Sequence, residues 1–575
     1  MANYKEEYER WLSDPAIDEK TKQELNALAD DDNEIKERFF KNLEFGTGGL
    51  RGILGAGTNR MNIYTVRQAT QGLANYILKQ GPTAQAMGVV IAHDCRRMSR
   101  EFCIEAALVL SGNGIKSYIF DSLRPTPVLS FAVRYLKCTA GAVVTASHNP
   151  PEYNGYKVYW SDGGQTPYPR DEDIITEVNK VTDFSQIRVA NRAEAEASGL
   201  FLFAGPEVDD AFIEAVKSQS IHPEIIPDST LKIVYTPLHG TGNIPVRRAL
   251  KETGFKNVYV VPEQEFPDPD FSTVSYPNPE DPKAFTLAKK LAEKVGADII
   301  VGTDPDADRV GVIVKDPNGE YVILTGNMTG VILTEYILSQ KKALGTLPEN
   351  AAIISTIVST DLTENIAKAY GASYLNVLTG FKYIGEKIKE FEASGENEFI
   401  FGFEESYGSL AGTHARDKDS VVSALLICEA AAFYKKQGLT LYNALQNIYK
   451  KYGYYKETIE SITLKGIQGL EDMSRIMAGL RSAPLEEIDG VKVVEARDYK
   501  NKTISNLRDK SVYPTTLPES DVLYYVLEDG AWFCVRPSGT EPKIKIYFGV
   551  KADSEGSAKE RLSALTKSVT ALIQQ

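Results

Sequence analysis

The sequence predicts an α/β protein of several domains that closes with a smaller α+β domain. Short apolar strand runs alternate with helical runs through most of the chain, which favours largely parallel sheets covered by helices. From about residue 474 that alternation gives way to hairpin spacing. The 575 residues also exceed what one hydrophobic core accommodates. Boundaries are expected near 210, 325 and 460, dividing the chain into 1–210, 211–325, 326–460 and 461–575.

Residues 1–40 read as a helical preface, with Trp11, Leu12, Leu25, Leu28, Ile35 and Phe39 recurring among Lys and Glu and a break at Asp14 and Pro15. GVVIAHDCRR at 88–97 begins as a buried strand and ends in charge. KSYIFDS at 116–122 is a second strand, VVTASHNP at 143–150 opens a third, and 100–112 is a helix between them. The cycle then repeats. LKIVYTPLHGTGN at 231–243 runs from a strand into a Gly-rich turn, NVYVV at 257–261 is a strand, and 283–295 is helical. ADIIVGTDPDADR at 297–309 is a strand followed by an acidic loop. A third cycle contains IISTIVST at 353–360, SYLNVL at 373–378 and EFIFGFEES at 398–406. Several of these strands lead into polar loops, and open α/β sheets carry their sites beyond the carboxyl ends of strands. In the last segment, VKVVEARDY, VLYYVLEDGAWFCVRPSG and KIKIYFGV predict an antiparallel sheet with a turn at 528–530, closed by a helix over 556–573.

With 43% hydrophobic residues, 30 Tyr and 22 Phe, the chain has ample material for several cores and does not read as disordered. The net charge of -14, from 64 basic and 78 acidic residues, argues against nonspecific nucleic-acid binding. It leaves room for an anionic substrate held by a local Arg/Lys cluster. Five cysteines, an odd and scattered set, define no disulfide framework. The charged start MANYKEEYERWLSD has no signal-peptide core, and no 18-residue apolar run suggests a membrane span. A soluble cytoplasmic protein with no membrane partner is expected.

Four motifs carry chemistry. In DPDADR, at 304–309, Asp304, Asp306 and Asp308 follow a strand at alternate positions, and such density of hard oxygen ligands suits Mg²⁺ or Ca²⁺. The run lacks the Gly and Glu of an EF-hand loop. Arg309 is expected to pair with a carboxylate or reach a phosphoryl group. In TASHNP, at 145–150, Ser147 lies just past a strand, outside any G-x-S-x-G elbow. Unactivated serine is a weak nucleophile, so its interest lies in carrying a phosphoryl group beside a metal. His148 adjoins it, and Lys157 follows a turn downstream as a charge partner or proton donor. RPSGTEPK, at 536–543, sets Arg536, two hydroxyls and flexible amides together as an anion nest. GFEES, at 402–406, offers the acceptors and hydroxyl that sugar recognition needs, with His414, Arg416 and Lys418 nearby as a positive group. Thr379 and Gly380 form a turn before Phe381 and Lys382. GTGGLRG, at 46–52, is no dinucleotide fingerprint; it reads either as a tight turn or as a site element through Arg51. Each motif also has a bland reading as a solvated polar turn.

The order and separation of these four motifs resemble the alpha-D-phosphohexomutase family over about residues 40–565. The resemblance implies three related α/β domains plus a smaller C-terminal α+β domain around a central cleft. It implies that Ser147 is the phosphorylated serine, and that Asp304, Asp306 and Asp308 bind one Mg²⁺ together with it. Arg51, His148, Lys157 and Lys418 become partners in phosphoryl or proton transfer. Arg309, Thr379, Gly380, Glu404 and Ser406 become substrate contacts. Arg536, Ser538, Gly539 and Thr540 would hold the phosphate that does not react. The implied reaction interconverts glucose 1-phosphate and glucose 6-phosphate through phosphoserine, with a sugar 1,6-bisphosphate as intermediate and activator. Pentose and mannose phosphates are alternative substrates. A phosphatase and a non-enzymatic sugar-phosphate binder are alternative classes. One bacterial subgroup of the family has histidine two residues after the sugar-loop serine, where this chain has Gly408, which weakens a mannose assignment. The partner is thus a small phosphosugar, and the protein is expected to be a monomer or a dimer.

Overall fold

The computed structural model describes residues 4–45, 49–464, 466–482, 485–537 and 543–574. They form two compact units, Met1–Thr325 with Phe381–Thr440, and Gly326–Gly380 with Leu441–Gln575.

The first unit opens with the helices Tyr4–Ser13, Glu19–Asn26 and Asp32–Phe39. Asp18 and Asp31 cap the second and third by accepting backbone N–H groups. Their apolar faces bring Trp11, Leu25, Ile35 and Phe39 together with Tyr64 in a small core. Next comes a sheet of β1 (Leu50–Ile53), β2 (Val89–His93), β3 (Ser117–Ile119), β4 (Ala140–Val144), β5 (Tyr153–Trp160) and β6 (Phe201–Phe203). Its strand order is β1-β5-β4-β2-β3-β6. Strands β4, β2, β3 and β6 run parallel to one another, while β5 pairs antiparallel with both β4 and β1. VVIAH and AGAVV are buried along their whole length, as strands covered on both faces must be. Helices Ile63–Lys79 and Ser99–Gly112 supply Leu73, Ile77, Phe102 and Leu110 to that core.

A second sheet repeats the plan with β7 (Lys232–Thr236), β8 (Asn257–Val260), β9 (Ile299–Thr303), β10 (Val310–Lys315) and β11 (Tyr321–Leu324). The order is β11-β10-β9-β7-β8, with β9, β7 and β8 parallel and β10 and β11 antiparallel. Later in the same unit, strands Glu398–Phe403 and Ser409–Ala411 pair antiparallel. A common rule emerges. The loops bearing Ser147, Asp304 and Glu404 each join a strand to an antiparallel return strand, so both ends are tied into one sheet. That anchoring limits their freedom more than a strand-to-helix connection does.

The second unit contains the parallel pair Ala351–Thr356 and Ser373–Val377, bridged by helix Leu362–Tyr370. Its C-terminal part is the expected antiparallel sheet. Strand Tyr454–Thr463 pairs along its full length with Lys543–Ala552, which continues to Trp532–Pro537 and Leu523–Leu527. The turn expected at 528–530 is present, with Gly530 at φ 81°. The closing helix spans Glu555–Ile573. Helix Gly466–Ser482, absent from the sequence reading, follows the first strand of this sheet, Tyr454–Thr463. Leu565, Val569 and Ile573 pack onto Phe533, Ile546 and Phe548 in this core.

One acid in this unit makes stability depend on pH. Burial raises the Glu457 carboxyl to about 7, against opposing hydrogen bonds from Thr360 and Asn327. The folded state therefore keeps a proton that the unfolded chain releases near 4.5. The contribution is complete below that ordinary value and is lost as pH rises through about 7. Glu457→Gln should flatten this part of the profile, read from urea midpoints measured across that range without added metal.

Among the described residues no helix is long and apolar enough to cross a membrane. Among the described residues the five cysteines form no disulfide, and four of them are buried.

Candidate functional site

Ser147 lies three residues past the end of β4 with φ +50°, a left-handed conformation that costs a non-glycine residue about 1–2 kcal/mol. Its N–H donates to Thr145 Oγ1 at 2.8 Å. Its Oγ donates to Asp304 Oδ2 at 2.7 Å and lies 3.2 Å from His148 Nδ1. Burial, then the Arg309 and Arg51 charges, holds the His148 imidazole well below its ordinary pKa, in the neutral form. Residues 157 positions apart in sequence thus share a hydrogen bond.

The acidic loop connects β9 to β10, whose first pair is Thr303 with Val310. Asp304 Oδ1 accepts the N–H groups of Asp308 and Arg309, each at 3.0 Å, which curls the loop around that carboxylate. Ala307 takes φ +53° at the bend. Asp304, Asp306 and Asp308 are buried and offer one oxygen each within 4.8 Å of one another. Neighbouring elements hold the loop from several sides, through residues the sequence reading did not single out. Thr126 donates its N–H to Asp306 O and its hydroxyl to Asp306 Oδ2, both at 2.9 Å. Thr241 donates twice to Pro305 O, Ser420 caps Ala307 O, and Val310 N–H reaches Tyr407 O at 3.0 Å. Gly240 presses against Pro305, where an added Cβ would lie 2.4 Å from Pro305 Cα. HGTGN signals a turn in the sequence but not what it supports. Gly240→Ala should therefore shift the loop, destabilise the fold by about 1–3 kcal/mol and weaken divalent-cation binding, measured by thermal unfolding with and without Mg²⁺.

Two buried lysines face the carboxylates. Lys157, on β5, donates to Asp306 Oδ2 at 2.9 Å and sits 3.6 Å from Asp308 Oδ2. Lys418 lies 3.1 Å from Asp308 Oδ2 and 3.3 Å from Asp417 Oδ1. Tyr159 and Gln165 donate to the other Asp417 oxygen at 2.7 and 2.8 Å, so this acid, also missed from sequence, seats Lys418. Burial favours the neutral amines, but the facing carboxylates outweigh it and keep both lysines charged. Burial, followed by repulsion from Asp306 and Asp308, pushes the Asp304 carboxyl well above the usual range. Asp306 is held low, because Lys157, the Asp304 hydrogen bond and Lys418 outweigh its burial.

Glu404 directly follows strand Glu398–Phe403, and burial pushes its carboxyl to about 7. Its N–H donates to Gly408 O at 2.8 Å, closing the loop in which Ser406 is half-buried and Tyr407 takes φ +68°. A Cβ at Gly408 would sit 2.0 Å from Lys418 Cδ, so the glycine leaves room for that lysine's stem. Arg309 resolves its alternatives toward a carboxylate: Nη1 donates to Glu280 at 2.5 Å. Arg51, on β1, is exposed and reaches Asn149 Oδ1 at 3.3 Å. The expected positive group does not form as a group. His414 pairs with Asp419 and Arg416 with Glu392, leaving Lys418 as the member beside the acidic loop. Thr379, Gly380 and Arg536 belong to the second unit, Arg536 near the end of strand Trp532–Pro537. Ser538, Gly539 and Thr540 lie outside the described residues, as do 46–48 of the Gly-rich segment.

The acidic trio suits a hard divalent cation. Asp306 Oδ1 and Asp308 Oδ1 are buried oxygens with no hydrogen-bond partner, in a cluster whose mutual repulsion a cation would relieve. Ser147 Oγ adds a fourth oxygen next to Asp304.

A strained buried serine and three convergent carboxylates in loops that follow α/β strands, faced by two charged lysines, define a site for phosphoryl-group chemistry. Comparison with known proteins gives the family. The phosphoglucomutase/phosphomannomutase alpha/beta/alpha domains I, II and III match residues 42–184, 210–319 and 325–452, and its C-terminal domain matches 480–563. A phosphoglucomutase of Staphylococcus aureus strain MRSA252 is 38% identical over 536 residues, covering 93% of this chain and 94% of the relative. The strain USA300 protein is 37% identical over the same length. Among solved structures, a phosphoglucomutase/phosphomannomutase family protein of Burkholderia thailandensis superposes with a TM-score of 0.65 at 19% identity, covering 93% of this chain and 97% of that one. The open form of the Paramecium phosphoglucomutase parafusin gives 0.66 at 17%, covering 92% and 94%. These two share the fold. The chain belongs to the phosphoglucomutase/phosphomannomutase family of phosphohexomutases, with three α/β/α domains and a C-terminal domain.

Proposed function

We propose that this chain interconverts glucose 1-phosphate and glucose 6-phosphate through a phosphoryl group carried on Ser147, with glucose 1,6-bisphosphate as intermediate and activator. The observation that carries the mechanism is the 2.7 Å contact between Ser147 Oγ and Asp304, within a carboxylate trio faced by Lys157 and Lys418. Choice of glucose phosphate follows the Staphylococcus aureus relatives, which match over most of both chains.

Asp304, Asp306 and Asp308 would hold Mg²⁺ together with the Ser147 phosphate, where the ion supplies charge stabilisation for the phosphoryl oxygens. Lys157, Lys418 and Arg51 add positive charge to the same oxygens. In the first transfer the Ser147 Oγ–P bond breaks and a bond from phosphorus to the sugar hydroxyl oxygen forms. The hydroxyl proton leaves that oxygen, and Ser147 Oγ ends protonated. Neutral His148, 3.2 Å from Oγ, is placed to handle the proton at that atom. The bisphosphate then turns, and its other phosphoryl group returns to Ser147 by the reverse step. Glu404 and Ser406 contact the sugar hydroxyls in both orientations, and Arg309, Thr379 and Gly380 complete the substrate contacts. Arg536, Ser538, Gly539 and Thr540 take the phosphate that does not react. The segments 1–210, 211–325, 326–460 and 461–575 are the corresponding structural divisions in this reading.

The test follows isomerisation of glucose 1-phosphate, ribose 1-phosphate, mannose 1-phosphate and glucosamine 1-phosphate with Mg²⁺ and trace cognate bisphosphate, together with free phosphate. Fast formation of glucose 6-phosphate without phosphate release is expected. A faster pentose reaction would change the substrate and keep the mechanism. Net phosphate release without isomerisation would replace the mutase reading by a phosphatase.

A further inference from the structure

The loop that presents Ser147 has no regular secondary structure between β4 and β5; residues 145–147 are buried and 148–151 half-buried. Four of its carbonyls, those of Ser147, Asn149, Pro150 and Tyr153, find one common partner. Arg96 Nη2 donates to Ser147 O and Asn149 O at 2.6 and 2.5 Å, and Nη1 donates to Pro150 O and Tyr153 O at 2.7 and 3.1 Å. Each terminal N–H of the guanidinium is thereby directed to one carbonyl. The remaining edge, Nε, faces Asp94 Oδ2 at 3.2 Å as an ion pair, and both side chains are fully buried. The ring of Phe271 lies against the guanidinium, 4.9 Å away. Asp94 extends the arrangement back to the serine. It accepts the hydroxyls of Ser99 and Thr145, each at 2.7 Å, and Thr145 Oγ1 accepts the Ser147 N–H. The left-handed Ser147 is gripped at its N–H through Thr145 and at its carbonyl through Arg96.

We propose that Arg96, seated by Asp94, is a positioning residue for phosphoryl transfer, with Thr145 completing the clamp that holds Ser147 in its strained conformation. It does not touch the reacting atoms. A planar group with donors in a fixed fork can satisfy four carbonyls while its charge faces a carboxylate, whereas an ammonium has three donors. Without the fork, the buried carbonyls would draw in water or rotate the loop. A Ser147 oxygen displaced by about 1 Å is enough to cost about 100-fold in rate. The inference rests on the phosphoserine reading given above.

The experiment compares wild type with Arg96→Lys, Thr145→Val and Thr145→Ser in the full chain. It measures kcat and KM for glucose 1-phosphate, phosphoserine content by intact mass, and the thermal midpoint. Wild type lacking both phosphoserine and isomerase activity would overturn the functional reading itself. With wild type active, folded Arg96→Lys should lose about 100-fold in kcat while KM stays within about twofold. Folded Arg96→Lys with kcat within about threefold of wild type would overturn the positioning role. Should Arg96→Lys fail to fold, the threonine pair decides. Thr145→Val should lose about tenfold in kcat and Thr145→Ser should restore it. Equal kcat for Thr145→Val and wild type would overturn the proposal.

Discussion

Ser147→Ala is expected to abolish mutase turnover, by about 10⁴-fold or more, with the fold retained. The substitution removes the oxygen that carries the phosphoryl group, and no neighbouring group can replace it. His148 is held neutral beside Oγ, but Lys157 and Lys418 are occupied by carboxylates. Structurally the change is small. Alanine has a Cβ like serine, so the left-handed φ at 147 costs the same as before; the backbone N–H still donates to Thr145 and the carbonyl still accepts from Arg96. Asp304 Oδ2 loses one donor, a cost of about 1–3 kcal/mol in a buried site. The measurement is isomerisation of glucose 1-phosphate with glucose 1,6-bisphosphate supplied, alongside thermal unfolding. Wild-type turnover in a folded Ser147→Ala protein would refute the phosphoserine mechanism.

The second large effect is expected at Asp304, where activity and stability should move in opposite directions. The ionised form of Asp304 is penalised by burial and then by Asp306 and Asp308. Asparagine removes that charge and keeps the shape. Its oxygen can still accept from Asp308 N–H and Arg309 N–H, and its amide can donate to Ser147 Oγ. Without divalent cation, Asp304→Asn should therefore unfold at or above the wild-type temperature. With Mg²⁺ the order should reverse. A cation present at about 100 times its Kd stabilises the wild type by about 2.7 kcal/mol, and the variant should gain little of this. Mutase activity should fall about 10³-fold, the equivalent of several kcal/mol of lost transition-state stabilisation. Thermal scans in EDTA and in Mg²⁺, with the activity assay, read all three. A variant that keeps the full Mg²⁺-dependent shift would remove Asp304 from the metal site.

Much of the fold was legible because buried strands leave continuous apolar runs. VVIAH, AGAVV and IIVGT are buried throughout; residue type alone marks the first and third as strands, and of the second only the part from Val143 on. Direction was legible for the C-terminal sheet from its hairpin spacing, but not for the return strands β5 and β10: they are buried in near-continuous runs as parallel strands are, and stayed hidden within units read as ordinary α/β alternation. Helix Gly466–Ser482 was missed for a related reason: its surroundings read as the approach to a sheet.

The site divides in the same way. DPDADR and TASHNP announce themselves because unusual densities of carboxylate and hydroxyl groups cluster within a few residues. Arg96, Thr126 and Gly240 carry no such local signature, since each acts on a partner distant in the chain; Asp94 and Asp417 face the nearby Arg96 and Lys418, but are fixed by the distant Thr145 and Tyr159. His414 and Arg416 show the converse, being close in sequence to Lys418 yet paired with Asp419 and Glu392. The sequence by itself determined the strand and helix runs, the family, and the chemical character of each loop, because these depend on residue type and near neighbours. Tertiary structure alone decided that Ser147 meets Asp304, that two lysines balance three carboxylates, and that one buried arginine holds the serine loop. Those facts depend on distances between residues far apart in the chain, which are set only when the sheets fold.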